Sequence, residues 1–333
     1  MKTNKKENIL ITGGAGYIGS HTAYELNKNG YNCIIFDNFS EGNREFVKDY
    51  EIYEGDLNNI DDIKKVFQEN KIDAVVHFAA YARVEESFQE PYKYFQNNVV
   101  NTIKLLDTML EFDVKKIVFS SSCATYGIAQ YVPIDEEHPQ APINPYGVTK
   151  YLVEQILKEY DTKFGLKSVS LRYFNAAGAS EETELGEKHK IETRLIPLLL
   201  KTLTAENKSF TIKGTDYETP DGTCIRDFIH VSDLASAHRL ALELLFNGTD
   251  SDCFNLATGK GYSTKEVINA VEKVTGKKIQ IVESDRRPGD PPMLYADYKK
   301  AKKILGWEPK YINIPDIIKT AWRWEQQLYG ETH

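Results

Sequence analysis

Tyr146 and Lys150 are the two residues whose types and spacing point most directly to chemistry. They stand four positions apart in a segment, Pro145–Lys150, that has the pattern of a helix start, so both lie on one helix face, one turn apart. A lysine ammonium beside a phenol favours the phenolate, which can remove a proton from a hydroxyl group. Because this spacing also arises by chance on helix surfaces, the pair needs support from its surroundings.

Support for the pair comes from a run of serines upstream. The sequence Phe119-Ser120-Ser121-Ser122 ends a strand-like run and is followed by Tyr126-Gly127. A serine hydroxyl at this point can hydrogen-bond the substrate oxygen that Tyr146 would deprotonate, which predicts Ser122 as a third catalytic residue. The alternative for Ser122 is a helix or turn cap, a role that serine often takes.

A second pattern, near the start of the chain, predicts a phosphate-binding turn. The β-branched run Ile9–Thr12 leads into glycines at positions 13, 16 and 19 and then into a helical pattern. The unpaired N–H groups of such a helix start attract phosphate. In this arrangement Gly13 permits the turn, Gly16 lets a pyrophosphate approach the backbone, and Gly19 lets helix and strand pack closely.

The second strand-like run identifies the expected dinucleotide. The run Tyr31–Phe36 ends at Asp37, eighteen positions after Gly19. A carboxylate at this point hydrogen-bonds an adenosine ribose and repels a 2′-phosphate, so it favours NAD over NADP. A glycine triplet alone is a weak signal, but together with Asp37 it predicts an NAD site.

The composition narrows the classes of protein and of partner. The chain has 333 residues, 41% of them hydrophobic and 27% charged, and a formal net charge of −8, which argues against nucleic acid or anionic membranes as partners. The four cysteines show no metal-ligand spacing, no metal is predicted, and buried free thiols are expected for Cys33 and Cys253. No apolar run is long enough to span a membrane, and Met1–Asn8 is too polar for a signal peptide, so a cytoplasmic location is expected.

Strand and helix patterns alternate from residue 8 to about residue 175, which predicts an α/β fold with a doubly wound, Rossmann-type parallel sheet. The strand-like runs are Ile9–Thr12, Cys33–Asp37, Glu51–Glu54, Ala74–Phe78, Lys116–Ser120 and Ser168–Tyr173, and the helical runs include Ile60–Gln68, Tyr92–Glu111 and Tyr146–Phe164. Ligands in such sheets bind at the carboxyl ends of the strands. The glycine loop, Asp37 and the serines all fall at such ends.

The second half of the chain predicts a smaller mixed α/β lobe interleaved with the first. Its expected elements are a loop over 178–190, helices at Glu192–Ala205, Val231–Phe246 and Thr264–Thr275, strands at Phe210–Lys213 and Cys253–Leu256, and two final helices at 298–306 and 315–328. Ser263 and Glu266 form a capping-box pattern. The expected division is an NAD-binding domain at 1–175 with about 229–260, and a second, substrate-binding lobe at about 176–228 and 261–333.

The glycine loop, the strand-end serines and the Tyr146/Lys150 pair together resemble the extended short-chain dehydrogenase/reductase family. Within it, nearly the whole chain, from residue 9 to about 326, is similar to the UDP-glucose (UDP-galactose) 4-epimerases. The segments that carry this resemblance are Thr12–Thr22, Asp37-Asn38, His77–Ala80, Asn97–Val99, Arg172–Asn175, Gly214–Tyr217 and, most specifically, Thr219–Val231.

The resemblance implies a role for each matching residue. For NAD it implies Tyr17 and Ile18 at the pyrophosphate, Asp37 and Asn38 at the adenosine ribose, Asp56 and Leu57 at the adenine, Phe78, Ala79, Ala80, Asn97 and Phe174 around the nicotinamide, and Lys150 at its ribose. For the UDP group it implies Asn175, Leu195, Arg226, Arg287 and Asp290, with Ser122 and Tyr146 facing both ligands. Two arginines suit a diphosphate because guanidinium and phosphate form bidentate hydrogen bonds.

The sequence departs from the family pattern at four positions. Glu85 replaces a common glycine, Ala82 replaces a lysine found in some relatives, Arg194 replaces His or Asn, and Phe228 replaces tyrosine. None of these changes removes a predicted catalytic group.

The resemblance implies an epimerase that inverts C4 of a UDP-hexose through a transient 4-keto sugar, with NAD as a resident catalyst. It also implies a homodimer through the helices at Tyr92–Glu111 and Tyr146–Phe164. Leu294 stands where the family lines the pocket around the C2 substituent of the sugar. Leucine in place of tyrosine predicts room for an N-acetyl group, although Leu294 is alternatively a core residue.

Three alternatives remain open. A 4,6-dehydratase of the same family would carry an Asp-Glu pair directly after the strand-end serine, where this chain has Cys123 and Ala124. A sugar-acid 4-epimerase would need a cation for the carboxylate of the sugar. A non-catalytic NAD-binding regulator would commonly have lost the Tyr146/Lys150 pair.

Overall fold

The computed structural model describes residues 7–183, 185–204, 209–287 and 289–331. Its strands are β1 (Asn8–Thr12), β2 (Asn32–Asp37), β3 (Glu51–Glu54), β4 (Ala74–His77), β5 (Lys116–Ser120), β6 (Lys167–Tyr173), β7 (Asn175–Ala177), β8 (Phe210–Lys213), β9 (Ile225–Arg226), β10 (Phe228–His230), β11 (Asp252–Leu256), β12 (Tyr262–Ser263), β13 (Ile281–Ser284) and β14 (Met293–Leu294). Its α-helices are α1 (Tyr17–Lys28), α2 (Ile60–Glu69), α3 (Val84–Gln89), α4 (Pro91–Phe95), α5 (Asn101–Glu111), α6 (Pro145–Phe164), α7 (Leu195–Thr204), α8 (Val231–Phe246), α9 (Thr264–Thr275), α10 (Lys299–Leu305) and α11 (Ile314–Glu331).

Seven parallel strands form the central sheet, in the order β11-β6-β5-β4-β1-β2-β3. The first strand therefore lies inside the sheet, where its β-branched residues are covered on both faces. Ile9 and Ile11 belong to the apolar cluster that contains Leu234 of α8. Leu10, which points to the opposite face, belongs to the cluster that contains Leu105 of α5 and Val153 of α6. The predicted doubly wound parallel sheet is confirmed.

The second half of the chain builds a separate apolar cluster around helices α7, α9 and α11, with Leu199, Val267 and Ile318 among its members. Its strands form small sheets: β8 with β13, β9 with β12 and β14, and β10 with β7. Between β10 and β12 the chain returns to the central sheet, where β11 pairs with β6. Ser263 and Glu266 form the capping box at the start of α9, as predicted.

Two of the predicted helices differ in the structure. The helix predicted over Tyr92–Glu111 begins at Pro91 and contains a π-helical turn at Gln96–Val100. The helix predicted to begin at Glu192 begins at Leu195, because the Glu192 carboxylate accepts the N–H groups of Thr193 and Arg194 instead of continuing the helix. Its predicted last residue, Ala205, lies outside the described residues, as do Met1–Lys6 of the polar N-terminal stretch.

Cysteine burial follows the prediction in one case and differs in another. Cys33 is buried, as predicted, whereas Cys253 is only half-buried because β11 forms the edge of the central sheet. No helix within the described residues has the length and apolar character needed to cross a membrane.

Candidate active site

Two adjoining cavities open at the carboxyl ends of the central strands, where the strand order predicts a ligand. The larger is a cleft of about 1410 Å³ and the smaller a cavity of about 130 Å³. Of the predicted site residues, the larger is lined by Gly13, Gly16, Tyr17, Ile18, Gly19, Phe78, Ala80, Ser122, Tyr146, Lys150, Phe174, Asn175, Leu195, Arg226, Arg287, Asp290 and Leu294. The smaller is lined by Asp37, Asn38, Asp56, Leu57, Ala79 and Asn97, and it shares Gly13, Gly16, Phe78 and Ala80 with the larger. The fold thus brings together every residue that the sequence predicted for cofactor or substrate.

The glycine loop leaves no room for side chains at two of its three positions. Gly13 has φ +70°, and a Cβ atom there would lie 2.6 Å from the backbone nitrogen of Ala79. A Cβ atom on Gly19 would lie 2.4 Å from the carbonyl oxygen of Gly13, which explains the close helix–strand packing. Gly16 caps α1 without a side-chain hydrogen bond. The N-terminus of α1 therefore remains open to a phosphate, so the loop fits a dinucleotide.

The smaller cavity contains the acidic group predicted for the adenosine ribose. Asp37 is 7% exposed, and its two carboxylate oxygens accept the N–H groups of Ala15 at 2.9 Å and Phe39 at 2.8 Å. Burial raises the pKa of Asp37, while these two hydrogen bonds lower it. Asn38 donates to Asp56 at 2.8 Å, which links the two segments predicted to hold the ribose and the adenine.

Helix α6 positions the predicted catalytic pair. Its start is fixed by Asn144, whose side chain accepts the N–H of Gly147 at 2.8 Å. Tyr146 and Lys150 are 8% and 4% exposed. The Lys150 Nζ atom donates to the carbonyl oxygen of Ser120 at 2.7 Å and lies 5.9 Å from the ring centre of Tyr146. The lysine is therefore held between the end of β5 and the tyrosine.

Ser122 follows β5 and faces the same corner. Its side chain accepts the N–H of Ala124 at 3.1 Å and caps the 3-10 turn Cys123–Thr125, so the capping role considered as its alternative is present. The same side chain also acts on Tyr146 and lowers the pKa of that phenol. Capping fixes the orientation of the serine, and the effect on Tyr146 adds to this role.

The pKa values of Tyr146 and Lys150 differ from the expectation that the lysine by itself favours the phenolate. Burial is the largest influence on Tyr146 and raises its pKa, and Tyr173 raises it further. Ser122 and Arg194 act in the opposite direction. Burial also lowers the pKa of Lys150 to about 7, against the influence of Glu154. Lys150 therefore does not offset the effect of burial on the Tyr146 phenol.

Sequence reasoning missed a buried network beneath this corner. Glu154, 3% exposed, accepts a hydrogen bond from Ser121 at 2.5 Å and pairs with Arg172 at 2.6 Å. Arg172 also donates to the hydroxyl of Tyr126 at 3.0 Å. One signal was available, because Glu154 stands one helical turn after Lys150. The pairing with Arg172 depends on strand β6 lying next to β5, which the sequence does not display.

The sequence marks Tyr173 only as part of a family motif, whereas the structure places it in the cleft. Its hydroxyl hydrogen-bonds the side chain of Ser120, directly beside the contact that holds Lys150. The π-helical turn has a comparable role, since Asn98 inside it bonds to Tyr81 and to Thr149 of α6. These contacts fix the helices that flank the cleft and place the neighbouring Asn97 at the smaller cavity.

At the end of the cleft predicted to hold the nucleotide, a charged pair and an exposed arginine take the place of the buried groups found around Tyr146. Arg226 pairs with Asp290 and donates to the carbonyl oxygen of Pro291 at 2.7 Å. Arg287 is exposed, and Asn175 donates to the carbonyl oxygen of Asp227 at 3.1 Å. Two residues predicted to contact the substrate, Arg226 and Asp290, therefore contact each other.

Leu294 is both a core residue and a residue that lines the cleft, the two positions that the sequence analysis considered for it. It is 7% exposed and belongs to an apolar cluster with Phe174 and Tyr126, and it also lines the cleft. Among the departures from the family pattern, Phe228 is 4% exposed and belongs to the apolar cluster of helices α7, α9 and α11.

Arg194 also lines the cleft. Its guanidinium lies 5.5 Å from the ring centre of Tyr17, and its Nη1 atom lies 2.9 Å from Glu187. Within the described residues, Glu187, His189 and Glu192 form one group with ligand atoms close enough to share a cation. The Arg194 guanidinium pairs with Glu187 and so already supplies a positive charge beside this group.

The chain matches one protein family over most of its length. Residues 9–257 match the model of the NAD dependent epimerase/dehydratase family, and the chain belongs to that family. Among curated relatives, the UDP-glucose 4-epimerase of Rhizobium leguminosarum bv. trifolii is 48% identical over 96% of this chain and 97% of its own.

Solved structures agree with this relationship. The UDP-glucose 4-epimerase from Brucella ovis in complex with NAD is 44% identical, with a TM-score of 0.92 over 95% of this chain and 98% of that one. The UDP-Glc/GlcNAc 4-epimerase from Campylobacter jejuni is 42% identical, with a TM-score of 0.84 over 96% of this chain and 99% of that one.

Proposed function

We propose that the chain is a UDP-hexose 4-epimerase that interconverts UDP-glucose and UDP-galactose. The observation that carries the proposal is the position of Tyr146, Lys150 and Ser122. They lie buried in one cleft, which extends from the glycine loop to Arg226 and Arg287. A dinucleotide on the loop and a UDP group at the arginines would bring the nicotinamide and the sugar together beside the phenol. The relatives in Rhizobium and Brucella carry the same activity in their names.

In this mechanism, Tyr146 takes the proton of the sugar 4-hydroxyl and Ser122 holds that oxygen by a hydrogen bond. Bound NAD supplies the hydride acceptor at C4 and the positive charge that favours the phenolate. Lys150 adds its own charge and holds the nicotinamide ribose, while its contact with Ser120 keeps it beside Tyr146. Tyr146 would then give the proton back to the oxygen of the 4-keto sugar. Return of the hydride to the opposite face of C4 would invert that centre without consuming the cofactor.

Inversion requires the sugar to turn while the nucleotide stays in place. Asn175, Leu195, Arg226, Arg287 and Asp290 are the residues we assign to the UDP group. Since Arg226 is paired with Asp290, a diphosphate that binds it replaces one anionic partner with another. Rotation of the keto intermediate requires that the protein hold the sugar less firmly than the nucleotide.

The residues that follow Ser122 argue against dehydration. Cys123 stands where a 4,6-dehydratase needs an acid, and burial raises its thiol pKa to about 12. Ala124 carries no titratable group at all. A sugar-acid substrate would need a cation free to bind a carboxylate, whereas the cleft-lining Arg194 lies against Glu187. A non-catalytic regulator would have no use for the buried Tyr146/Lys150 pair.

We further propose that N-acetylated UDP-hexoses are substrates as well. Leu294 at the sugar end of the cleft is shorter than a tyrosine and lacks its hydroxyl group. The space thus gained would admit the N-acetyl group at C2. The related C. jejuni protein is named a UDP-Glc/GlcNAc 4-epimerase.

The test of the main proposal uses purified protein and UDP-galactose. We expect UDP-glucose to form in an incubation without added NAD. The epimerase is then inactivated, and UDP-glucose is measured in the stopped mixture with UDP-glucose dehydrogenase and added NAD. Denaturing the same protein and weighing the released nucleotide by mass spectrometry should identify NAD, because Asp37 disfavours a 2′-phosphate. Mainly NADP in that extract, or no epimerisation over a long incubation, would overturn the assignment.

We also propose a cytoplasmic homodimer with an NAD-binding domain at 1–175 and about 229–260 and a nucleotide-sugar lobe at about 176–228 and 261–333. Strand β11 belongs to the central sheet, which supports that division.

Tyr92 is 79% exposed and Val100 41%, and apolar groups this exposed on neighbouring helical segments suit a helix–helix interface. Light scattering after gel filtration should give twice the mass of the 38.0 kDa chain, and Tyr92→Glu should reduce it.

A further inference from the structure

An ion pair closes over the glycine loop from both sides. Arg83 follows β4, Glu41 follows β2, and the Nη2 atom of Arg83 donates to both carboxylate oxygens of Glu41 at 2.7 Å. Strand β1 lies between β4 and β2 in the sheet. A link between the segments after β4 and β2 must therefore pass over the end of β1, which is where the glycine loop begins.

The two residues of this pair also mark the middle of the predicted cofactor site. Both line the larger cleft, and Glu41 lines the smaller cavity as well. The pair thus lies between the adenosine end, at Asp37, and the reacting end, at Tyr146. A dinucleotide extended across the loop would run between the glycines below and the ion pair above.

Both ends of the pair are firmly attached to the fold. The buried Tyr94 hydroxyl accepts the N–H of Arg83 at 3.1 Å and donates to its carbonyl oxygen at 2.7 Å. On the other side, the backbone N–H of Asn43 donates to the carbonyl oxygen of Ala15 at 2.9 Å. Lys190 binds the same loop at the carbonyl oxygen of Ser40, at 2.5 Å. The pair therefore connects two anchored segments rather than two free side chains.

We propose that Glu41 and Arg83 form a clasp that retains the dinucleotide, so that the cofactor leaves only when this ion pair opens. The proposal rests on the NAD site described above. The competing view is that of an ordinary surface pair, because such pairs contribute little to stability. The two views differ in one measurable property, which is the rate at which the bound cofactor is released.

The experiment measures that rate on the purified holoenzyme. Protein is diluted into buffer, and released NAD is reduced by alcohol dehydrogenase and ethanol and followed by absorbance. We expect Glu41→Gln and Arg83→Gln each to speed release by about three- to tenfold, since one charged contact of this exposure is removed. The double substitution Glu41→Arg with Arg83→Glu should restore slow release. The matched control is Asp250→Asn, which removes an exposed pair with Lys167 at the opposite edge of the sheet and should change nothing.

A second measurement needs no variant and remains informative if a substitution impairs folding. Raising the salt concentration from about 50 mM to about 500 mM should speed release from the unmodified protein, because ions screen the pair. Release that is unchanged in both single variants, or independent of salt in the unmodified protein, overturns the clasp. Failure of the cofactor assignment gives a different result, namely a protein that carries no NAD to release.

Discussion

The two ends of the large cleft are built by different means. At the reacting end, Tyr146, Lys150 and Ser122 are each no more than 8% exposed, and Lys150 and Ser122 bond to backbone groups. At the nucleotide end, Arg226 is held by an ion pair with Asp290 and Arg287 is exposed. The first set keeps one geometry because the fold dictates it, whereas the second can exchange partners.

This difference matches what each end has to do. Groups that transfer protons must lie within a few tenths of an ångström of their reacting positions, so they belong on rigid elements. Groups that bind a flexible diphosphate can adjust, and their charge does much of the work. Substitutions at the two ends should therefore fail in different ways.

The sharpest test of the comparison is Tyr146→Phe. The ring and its packing remain while the proton acceptor is lost, so turnover should fall by about 10²–10⁴-fold with NAD still bound. Turnover is measured with UDP-galactose, and NAD content by extraction. The matched control is Tyr151→Phe on the same helix, which should leave turnover unchanged. Activity of Tyr146→Phe within a few-fold of the unmodified enzyme would defeat the assignment.

At the other end, Arg226→Gln should affect binding rather than chemistry. Loss of a charge-assisted contact with the diphosphate should weaken UDP binding by about 10–100-fold. Titration calorimetry with UDP and with UMP separates the diphosphate contribution, because UMP lacks the second phosphate. A fall in kcat with unchanged UDP affinity would contradict the comparison.

Leu294→Tyr tests the sugar end of the cleft. The larger side chain should reduce turnover of UDP-N-acetylglucosamine by about tenfold or more, since overfilling penalises the bulkier substrate. Turnover of UDP-galactose should be spared, and Leu294→Met, which keeps the volume, serves as the control. If the unmodified protein leaves the N-acetylated sugar untouched, the wider-pocket hypothesis is wrong.

The smallest expected effect concerns stability and comes from Lys150. Burial lowers its pKa in the folded protein to about 7 from an ordinary value of 10.5. Between these values the unfolded chain binds more protons, so stability rises with pH. Below pH 7 both states are protonated, and the full cost of a buried charge is present. Lys150→Met should therefore raise the melting temperature more at pH 6 than at pH 9, as thermal unfolding of both proteins at each pH would show. A gain independent of pH would contradict this account.

Local patterns predicted most of the fold and the position of the site. Strands β1, β2, β4, β5 and β6 were predictable because their buried apolar runs are bounded by clear turns, and the strand-end rule then located Asp37 and the serines. The π-helical turn at Gln96–Val100 was not predictable, because its extra residue leaves the apolar pattern almost unchanged. The Glu41–Arg83 and Glu154–Arg172 pairs join segments that are distant in the chain, so only the sheet order reveals them.

The return of the chain to its central sheet has a consequence for synthesis. Strand β6 ends at Tyr173, yet its neighbour β11 spans Asp252–Leu256, and helix α8, which covers α1, lies between them. On the ribosome, the nucleotide-binding half therefore has an open sheet edge and an uncovered face until about three-quarters of the chain has been made. Unpaired edges of this kind invite pairing with other chains. The nascent protein consequently depends on the prompt emergence of residues 231–256, and a ribosome that stalls before them would release an aggregation-prone fragment.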